Sequence, residues 1–300
     1  VVNGPDPTVD EFVAACVQFD VRPGDVAANV AAMRAGVEEA VAAGAVLCVL
    51  PELWSTSFLS TFDDDALRQS AAAERDLCEV SAAHGLVIVG SCIEVDAGEV
   101  FNTAHVYERG RCLGSYRKIH LFSPNLEHRS HGFGQAPLVV ETSLGRLGVL
   151  ICYDLRFPEL ARYYFHRGVE MLVVPCQWPE TRAHHWRTLL RARAIENEFF
   201  VIGCNRTGQE PSLKNGETLA FPGDGRIVDP TGEVLVAGSG EAGAIVAPVE
   251  LRKVRMMRRI LPIARDQRPS VYRRMFEEVW PLMVERSRES HGQDFGSDDE

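Results

Sequence analysis

No stretch of this 300-residue chain approaches the roughly 18 to 20 consecutive apolar residues that a membrane-spanning helix requires. Basic charge is also short. Against 42 acidic residues stand 31 Lys and Arg, a formal net charge of −11, so the electrostatic footprint of a nucleic-acid binder is missing. A dinucleotide site is disfavoured, because no G-x-G-x-x-G turn joins a strand to a helix. Among Cys16, Cys48, Cys78, Cys92, Cys112, Cys152, Cys176 and Cys204, no pair has C-x-x-C spacing. Several lie in apolar runs, where a free Cys acts as a small hydrophobe, and this usage points to a reduced, cytoplasmic setting. The segment "VVNGPDPTVDEF" has neither a basic start nor an apolar core, so no signal peptide is expected there. No linker rich in Pro, Gly or Ser divides the chain, and no repeat of about 20 to 50 residues is visible.

What is present is ordinary for a soluble globular protein: 46% apolar and 24% charged residues. Much of the acidic surplus is local. Glu289, Asp294, Asp298, Asp299 and Glu300 lie in a final stretch without Lys or Arg, so residues 287–300 are expected to be a solvated, disordered tail. The basic run "LRKVRMMRR" (251–259) reads as a solvated face with internal ion pairs rather than a partner site.

Two periodicities alternate along the chain. "FVAACVQF" (12–19), "AVLCVLP" (45–51), "LVIVGSC" (86–92), "RLGVLIC" (146–152), "MLVVP" (171–175) and "FFVIGC" (199–204) are short, Val- and Ile-rich strand candidates buried on at least one face. Helices are predicted over 26–43, capped by Asp25 and ended by Gly44, and over 65–84, between Asp65 and Gly85. Two more are expected, from Pro158 to Gly168 and over about 181–198. "GDGRIVDPTGEVLVAG" (223–238) reads as two strands around a turn, and 241–251 adds another. Strands alternating with helices predict one α/β layered domain.

Three strand exits carry the candidate chemistry. Cys152 ends an apolar run and is followed at once by Tyr153, Asp154 and Arg156. Strand exits in α/β proteins face a crevice, where a thiol can meet a substrate. An ordinary thiol, with a pKa of about 8.5, is mostly protonated at neutral pH, so catalysis would need a base and a cation nearby. On its own, Cys152 reads as a packing residue before a catalytic one. Glu52 directly follows the second run. It is either a surface carboxylate opening a loop or a general base whose pKa is lifted by burial. Lys118 follows the strand in "CLGSYRKIHLF" and means little alone, but beside a thiol its ammonium would favour ionised sulfur and an oxyanion.

Together "LPE" (50–52), "YRKIHLF" (116–122) and "GVLICYDLRFPEL" (148–160) resemble, in order, the three blocks of the nitrilase, or carbon–nitrogen hydrolase, superfamily. "RARAIENEFFVIGCNRTG" (191–208) and "GDGRIVDPTGEVL" (223–235) extend the likeness over roughly residues 12 to 250. The resemblance implies a four-layer α-β-β-α sandwich and a triad of Glu52 as general base, Lys118, and Cys152 as nucleophile. It also implies Glu127 as a second glutamate, and an oxyanion held by Lys118 and the Tyr153 backbone N–H. "PELWSTSF" and "CQWPETRAHHW" look closest to omega-amidase-like members. The implied reaction is hydrolysis of a small amide to a carboxylate and ammonia through a cysteine thioester, with the omega-amide of a dicarboxylic acid such as 2-oxoglutaramate as lead substrate. N-carbamoyl amino acids, aliphatic amides and nitriles remain alternatives, as does acyl transfer.

For Arg156 two readings stand: recognition of a distal substrate carboxylate, or a scaffold ion pair with Glu159. Phe58, Trp178 and Trp54 are candidates for pocket walls, and each also reads as core. No cofactor is expected, and no metal, since "HRSHG" (128–132) and "HH" (184–185) match no standard ligand spacing. A catalytically silent binding protein of the same fold would be expected to have lost a triad member, and none is lost. The resemblance further implies a homodimer or higher homo-oligomer, paired through the helix after the nucleophile and the helix over 181–198. A C-terminal arm (252–286) would complete a single domain over residues 10–286.

Overall fold

The computed structural model describes residues 10–59 and 61–292. Two six-stranded mixed sheets form its centre. In the first, β1 (Glu11–Gln18), β2 (Ala45–Val49) and β3 (Val87–Asp96) run parallel. The antiparallel strands β4 (Glu99–Glu108) and β5 (Arg111–Arg117) extend it. In the second, β7 (Gly145–Val149), β8 (Met171–Cys176) and β9 (Phe200–Asn205) are the parallel core, with β6 (Val139–Thr142) antiparallel at one edge. After a separate hairpin of β10 (Thr207–Pro211) and β11 (Thr218–Pro222), β12 (Arg226–Val228) and β13 (Val234–Ala237) complete this sheet. The chain then returns, and β14 (Gly243–Glu250) pairs antiparallel with β1.

The sheets pack face to face through β1, β2 and β3 against β8 and β9. Helices α1 (Val26–Ala42) and α2 (Asp64–His84) cover the first sheet. The second is covered by α3 (Pro158–His166) and α4 (Ala183–Asn197). This is the expected α-β-β-α sandwich. Its outer core on one side joins Met33, Val37, Ala40, Leu77 and Val80 of the helices to Cys48, Ile88 and Cys92 of the strands. Between the sheets, the Cys16 thiol donates to the Gly203 carbonyl (3.3 Å) and the Cys204 thiol to Val17 (3.4 Å). These are packing thiols, as predicted. Cys112 departs from that reading, because it sits at the exposed start of edge strand β5, next to the likewise exposed Arg111.

Local rules explain most boundaries. The Asp25 carboxylate accepts the Ala28 N–H at 3.1 Å, capping α1. For α2 the cap is Asp63, not Asp65: its carboxylate takes the Ala66 N–H at 2.8 Å. Asp64 and Asp65 then fall in the first turn, where the helix dipole favours them. The predicted 181–198 helix divides into a 3₁₀ turn (Glu180–Arg182) and α4.

The described chain separates into two compact units, with the boundary between Met257 and Arg258 inside α5 (Arg252–Ile260). Lys253 pairs with Asp229 (3.1 Å), and Arg252 and Arg255 pair with Glu250 and Asp10, so the basic run makes internal ion pairs. The second unit holds α6 (Ile263–Asp266) and α7 (Pro269–Gly292). Along α7, Tyr272, Met275, Phe276, Val279, Trp280 and Met283 recur at helical spacing and are exposed. α7 enters the segment read as an acidic tail, and residues 293–300 of that tail lie outside the described residues.

Candidate active site

The exits of β2, β5, β7 and β8 meet at one end of the sandwich. Glu52 lies just beyond β2, Lys118 directly after β5, Cys152 just beyond β7 and Gln177 directly after β8. Glu127 arrives on a 3₁₀ turn (Glu127–Arg129). Backbone strain occurs here at three residues. Leu53, Leu126 and Cys152 all have left-handed backbones, with φ of 42°, 62° and 45°. Such conformations cost a non-glycine residue on the order of 1–3 kcal/mol and persist only where surrounding contacts enforce them.

Those contacts form a buried charge cluster. The Lys118 ammonium donates to Glu52 Oε1 (2.6 Å) and to Glu127 Oε1 and Oε2 (3.0 and 2.7 Å). Asn102 Nδ2 donates to the same two carboxylates, at 2.9 and 3.1 Å. The Phe122 N–H donates to Glu127 Oε2 at 2.6 Å, and the Gln177 N–H to Glu52 Oε2 at 3.1 Å. Glu52 and Lys118 are wholly buried, and Cys152, also buried, keeps 8% of its residue surface exposed.

One ammonium faces two carboxylates, and their environments separate them. Burial pushes Glu52 above the ordinary carboxylate range; Lys118 opposes the rise, and the Glu127 charge adds to it. Burial also disfavours ionised Glu127, but Lys118, His131 and the donors from Lys118 and Phe122 outweigh it and hold that carboxyl low. Burial alone would discharge Lys118; the two glutamates more than offset this and keep it an ammonium.

Cys152 opens a 3₁₀ turn (Cys152–Arg156). The ladder of this turn begins with the Asp154 N–H donating to the Ile151 carbonyl (3.0 Å). The N–H groups of Cys152 and Tyr153 precede that bond, at the positions where the N–H groups of a helical turn have no partner within the turn itself. The thiol donates to the Gln177 carbonyl at 3.8 Å and also interacts with the Glu52 carboxylate and with Cys176.

Around the sulfur the predicted wall residues divide. The half-buried Phe58 ring lies 5.7 Å from the Lys118 ammonium. Trp178 carries the Arg156 guanidinium at 4.6 Å over its ring, with the Tyr153 ring 5.8 Å from the same group. Trp54 belongs instead to the core beneath α1 and α2. Arg156 donates to His185 Nδ1 at 3.3 Å, and among the described residues it pairs with no carboxylate. The scaffold pair with Glu159 does not form. Of the other histidines singled out, His131 is buried, with Nδ1 2.9 Å from Ser130 Oγ and its ring edge-on to Phe58 and Phe62.

Asn102, Gln177 and Asp154 were not anticipated. Asn102 and Asp154 are fully buried and Gln177 nearly so. A buried polar side chain must find partners, so the usable signal was an Asn inside β4, a strand that the apolar runs did not disclose.

The chain belongs to the carbon–nitrogen hydrolase family, whose model matches residues 13–259. It is an enzyme that hydrolyses carbon–nitrogen bonds other than peptide bonds. It is 34% identical over 265 residues to the 2-oxoglutaramate amidase of Bacillus subtilis, covering 87% of this chain and all of the relative. Its fold is similar to a carbon–nitrogen hydrolase from Helicobacter pylori, with a TM-score of 0.81 and 26% identity, covering 89% of this chain and 98% of that one. It is likewise similar to a mutant amidase from Nesterenkonia sp. AN1 whose active-site cysteine carries the acetamide moiety of fluoroacetamide. There the TM-score is 0.75 and the identity 26%, covering 88% and 97% of the two chains.

Proposed function

We propose that the protein hydrolyses the omega-amide of a small dicarboxylic acid, such as 2-oxoglutaramate, with Cys152 as nucleophile. The observation that carries the reading is the buried Lys118 ammonium, clasped by Glu52 and Glu127 beside the Cys152 thiol. As Glu52 takes the thiol proton, sulfur attacks the amide carbonyl carbon. The negative charge moves to the carbonyl oxygen, where Lys118 and the Tyr153 N–H receive it. Collapse breaks the C–N bond, Glu52 returns its proton to the departing nitrogen, and ammonia leaves a thioester behind. Glu52 then removes a proton from water, the hydroxyl adds to the thioester carbon, and the C–S bond breaks to give the carboxylic acid while the departing sulfur takes the proton back from Glu52. Glu127, held ionised, keeps the Lys118 side chain in place and helps position that water. Protein groups and water supply every proton and electron pair in this cycle.

For the choice of amide, support comes from Arg156. Its guanidinium lies on Trp178 near Tyr153 without a carboxylate of its own. A planar fork in that state suits a substrate carboxylate, and the Bacillus subtilis relative is named for an amide that bears one. The deciding experiment is ammonia release from 2-oxoglutaramate, succinamate, N-carbamoyl amino acids, aliphatic amides and nitriles, by wild type and Arg156→Ala. The reading expects the first two substrates to dominate in wild type, and expects their KM to rise in the variant while that of a neutral amide stays. Equal effects on charged and neutral amides would remove the carboxylate role of Arg156.

We infer a homodimer formed through α3 and α4, where Tyr163 is partly exposed and Ile195 is exposed. A cytoplasmic location accords with the eight free cysteines. No helix among the described residues is long and apolar enough to cross a membrane.

A further inference from the structure

We propose that Asp154 is a positioning residue that sets the distance between the Cys152 sulfur and the Lys118 ammonium, while touching neither substrate nor reacting atoms. The inference rests on the catalytic reading of those two groups. Asp154 is fully buried, and four donors converge on its carboxylate. Oδ2 accepts the Ile151 N–H (3.0 Å) and the Tyr116 hydroxyl (2.8 Å). Oδ1 accepts the His120 N–H (2.8 Å) and lies 2.9 Å from His120 Nδ1. Ile151 immediately precedes the nucleophile, whereas Tyr116 and His120 flank Lys118 two residues to either side. One carboxylate therefore ties the nucleophile turn of one sheet to the lysine-bearing strand end of the other.

Two further contacts close the arrangement. The His120 ring stacks on Phe157 at 3.5 Å with planes 7° apart, and the Phe157 N–H donates to the Asp154 carbonyl at 3.0 Å. Lysine-side groups thus grip the turn at both its start and its end. Burial, reinforced by the Asp154 charge, pushes the Tyr116 phenol well above its usual range, so it stays a donor at all working pH values. This bracing also accounts for how Cys152 holds a left-handed backbone, with φ of 45°. A strained non-glycine conformation needs fixed neighbours, and bonds to a buried carboxylate, being charge-assisted, are the stronger kind.

The test uses Asp154→Asn, Tyr116→Phe and His120→Ala in the full chain. Three quantities are read: kcat and KM for the amide, the thermal midpoint, and the rate of iodoacetamide addition at Cys152 against pH, located by peptide mass spectrometry. The groups facing the sulfur, Glu52, Lys118 and Cys176, are left intact. A displacement of about 1 Å at a reacting group is worth roughly a hundredfold in rate. Asp154→Asn should therefore lower kcat about a hundredfold with KM near wild type, and should alter the pH profile of alkylation. Tyr116→Phe and His120→Ala should give graded versions of both effects. If Asp154→Asn fails to fold, these two milder variants decide the matter. Thermal midpoints that fall while the kcat and alkylation profiles of the folded variants stay as in wild type would overturn the inference. Activity surviving in Cys152→Ala would instead overturn the catalytic reading beneath it.

Discussion

At the scale of single residues, the site is a problem in sharing one positive charge. Two carboxylates within 3.0 Å of the same ammonium cannot both remain ionised at equal cost in a buried place. The direction of each shift assigns the work: Glu127 stays a charge, and Glu52 becomes the group that exchanges protons. A base acts only when ionised, so kcat/KM should fall as pH drops through the raised Glu52 value. The acid limb of the profile should lie above the ordinary carboxylate range, as a pH–rate series will measure. Asn102 donates to both carboxylates and favours their ionised forms. Asn102→Leu should therefore raise Glu52 further and move that limb to higher pH. Lys118→Met leaves two buried carboxylates without their cation. Breaking such a pair costs about 3–5 kcal/mol, so a clear loss of denaturant midpoint should accompany the loss of turnover.

At the scale of elements, the chemistry depends on where strands stop. Glu52, Lys118, Glu127 and Cys152 each lie at or just beyond the end of a strand or on a short turn, which lets one end of the sandwich gather groups from both sheets. The end of β5 is held by the loop that follows Glu127. The Gly134 N–H donates to the Lys118 carbonyl at 2.7 Å, and a Cβ at Gly134 would stand 1.9 Å from the Arg117 carbonyl oxygen. Gly134→Ala must push back the backbone that delivers Lys118. It should cost about 1–3 kcal/mol of stability and lower kcat, which paired thermal and kinetic assays will show. Asp63→Ala is the contrasting case. Loss of the α2 cap should cost about 1 kcal/mol and leave kcat unchanged, because α2 carries none of the reacting groups.

At the scale of the whole molecule, the two sheets share one plan: three parallel strands with antiparallel strands beside them, and helices on the outer face. The proposed homodimer would use the helices over the second sheet. Sedimentation should then give about twice the 33.1 kDa of one chain. Charged substitution at Ile195, which is 49% exposed on α4, should shift the particle toward the single-chain mass. A single-chain mass for the wild-type protein would remove the dimer.

Much of this was legible in the order of residues. Short Val- and Ile-rich runs ending in Glu or Cys marked β2 and β7 together with their exits, because strand burial and an abrupt change to polar residues are both local properties of the chain; β5, with neither Val nor Ile, was marked only by the segment that carries Lys118. Strands β4, β6, β10 and β11 were not legible: "EVFNTAHVYE" and its like mix polar and apolar residues, and only pairing with a neighbour makes them strands. The same limit applied to the site. Local sequence determined which side chains carry an acid, an ammonium and a thiol, and it placed all three at the ends of apolar runs. Only the tertiary structure decided that Lys118 would lie between Glu52 and Glu127, that Asn102 would bridge them, that Arg156 would be left without a carboxylate, and that Asp154 would link the two sheets. The physical reason is that such choices depend on distances between residues tens of positions apart in the chain, and those distances arise when the faces of the two sheets are buried against each other.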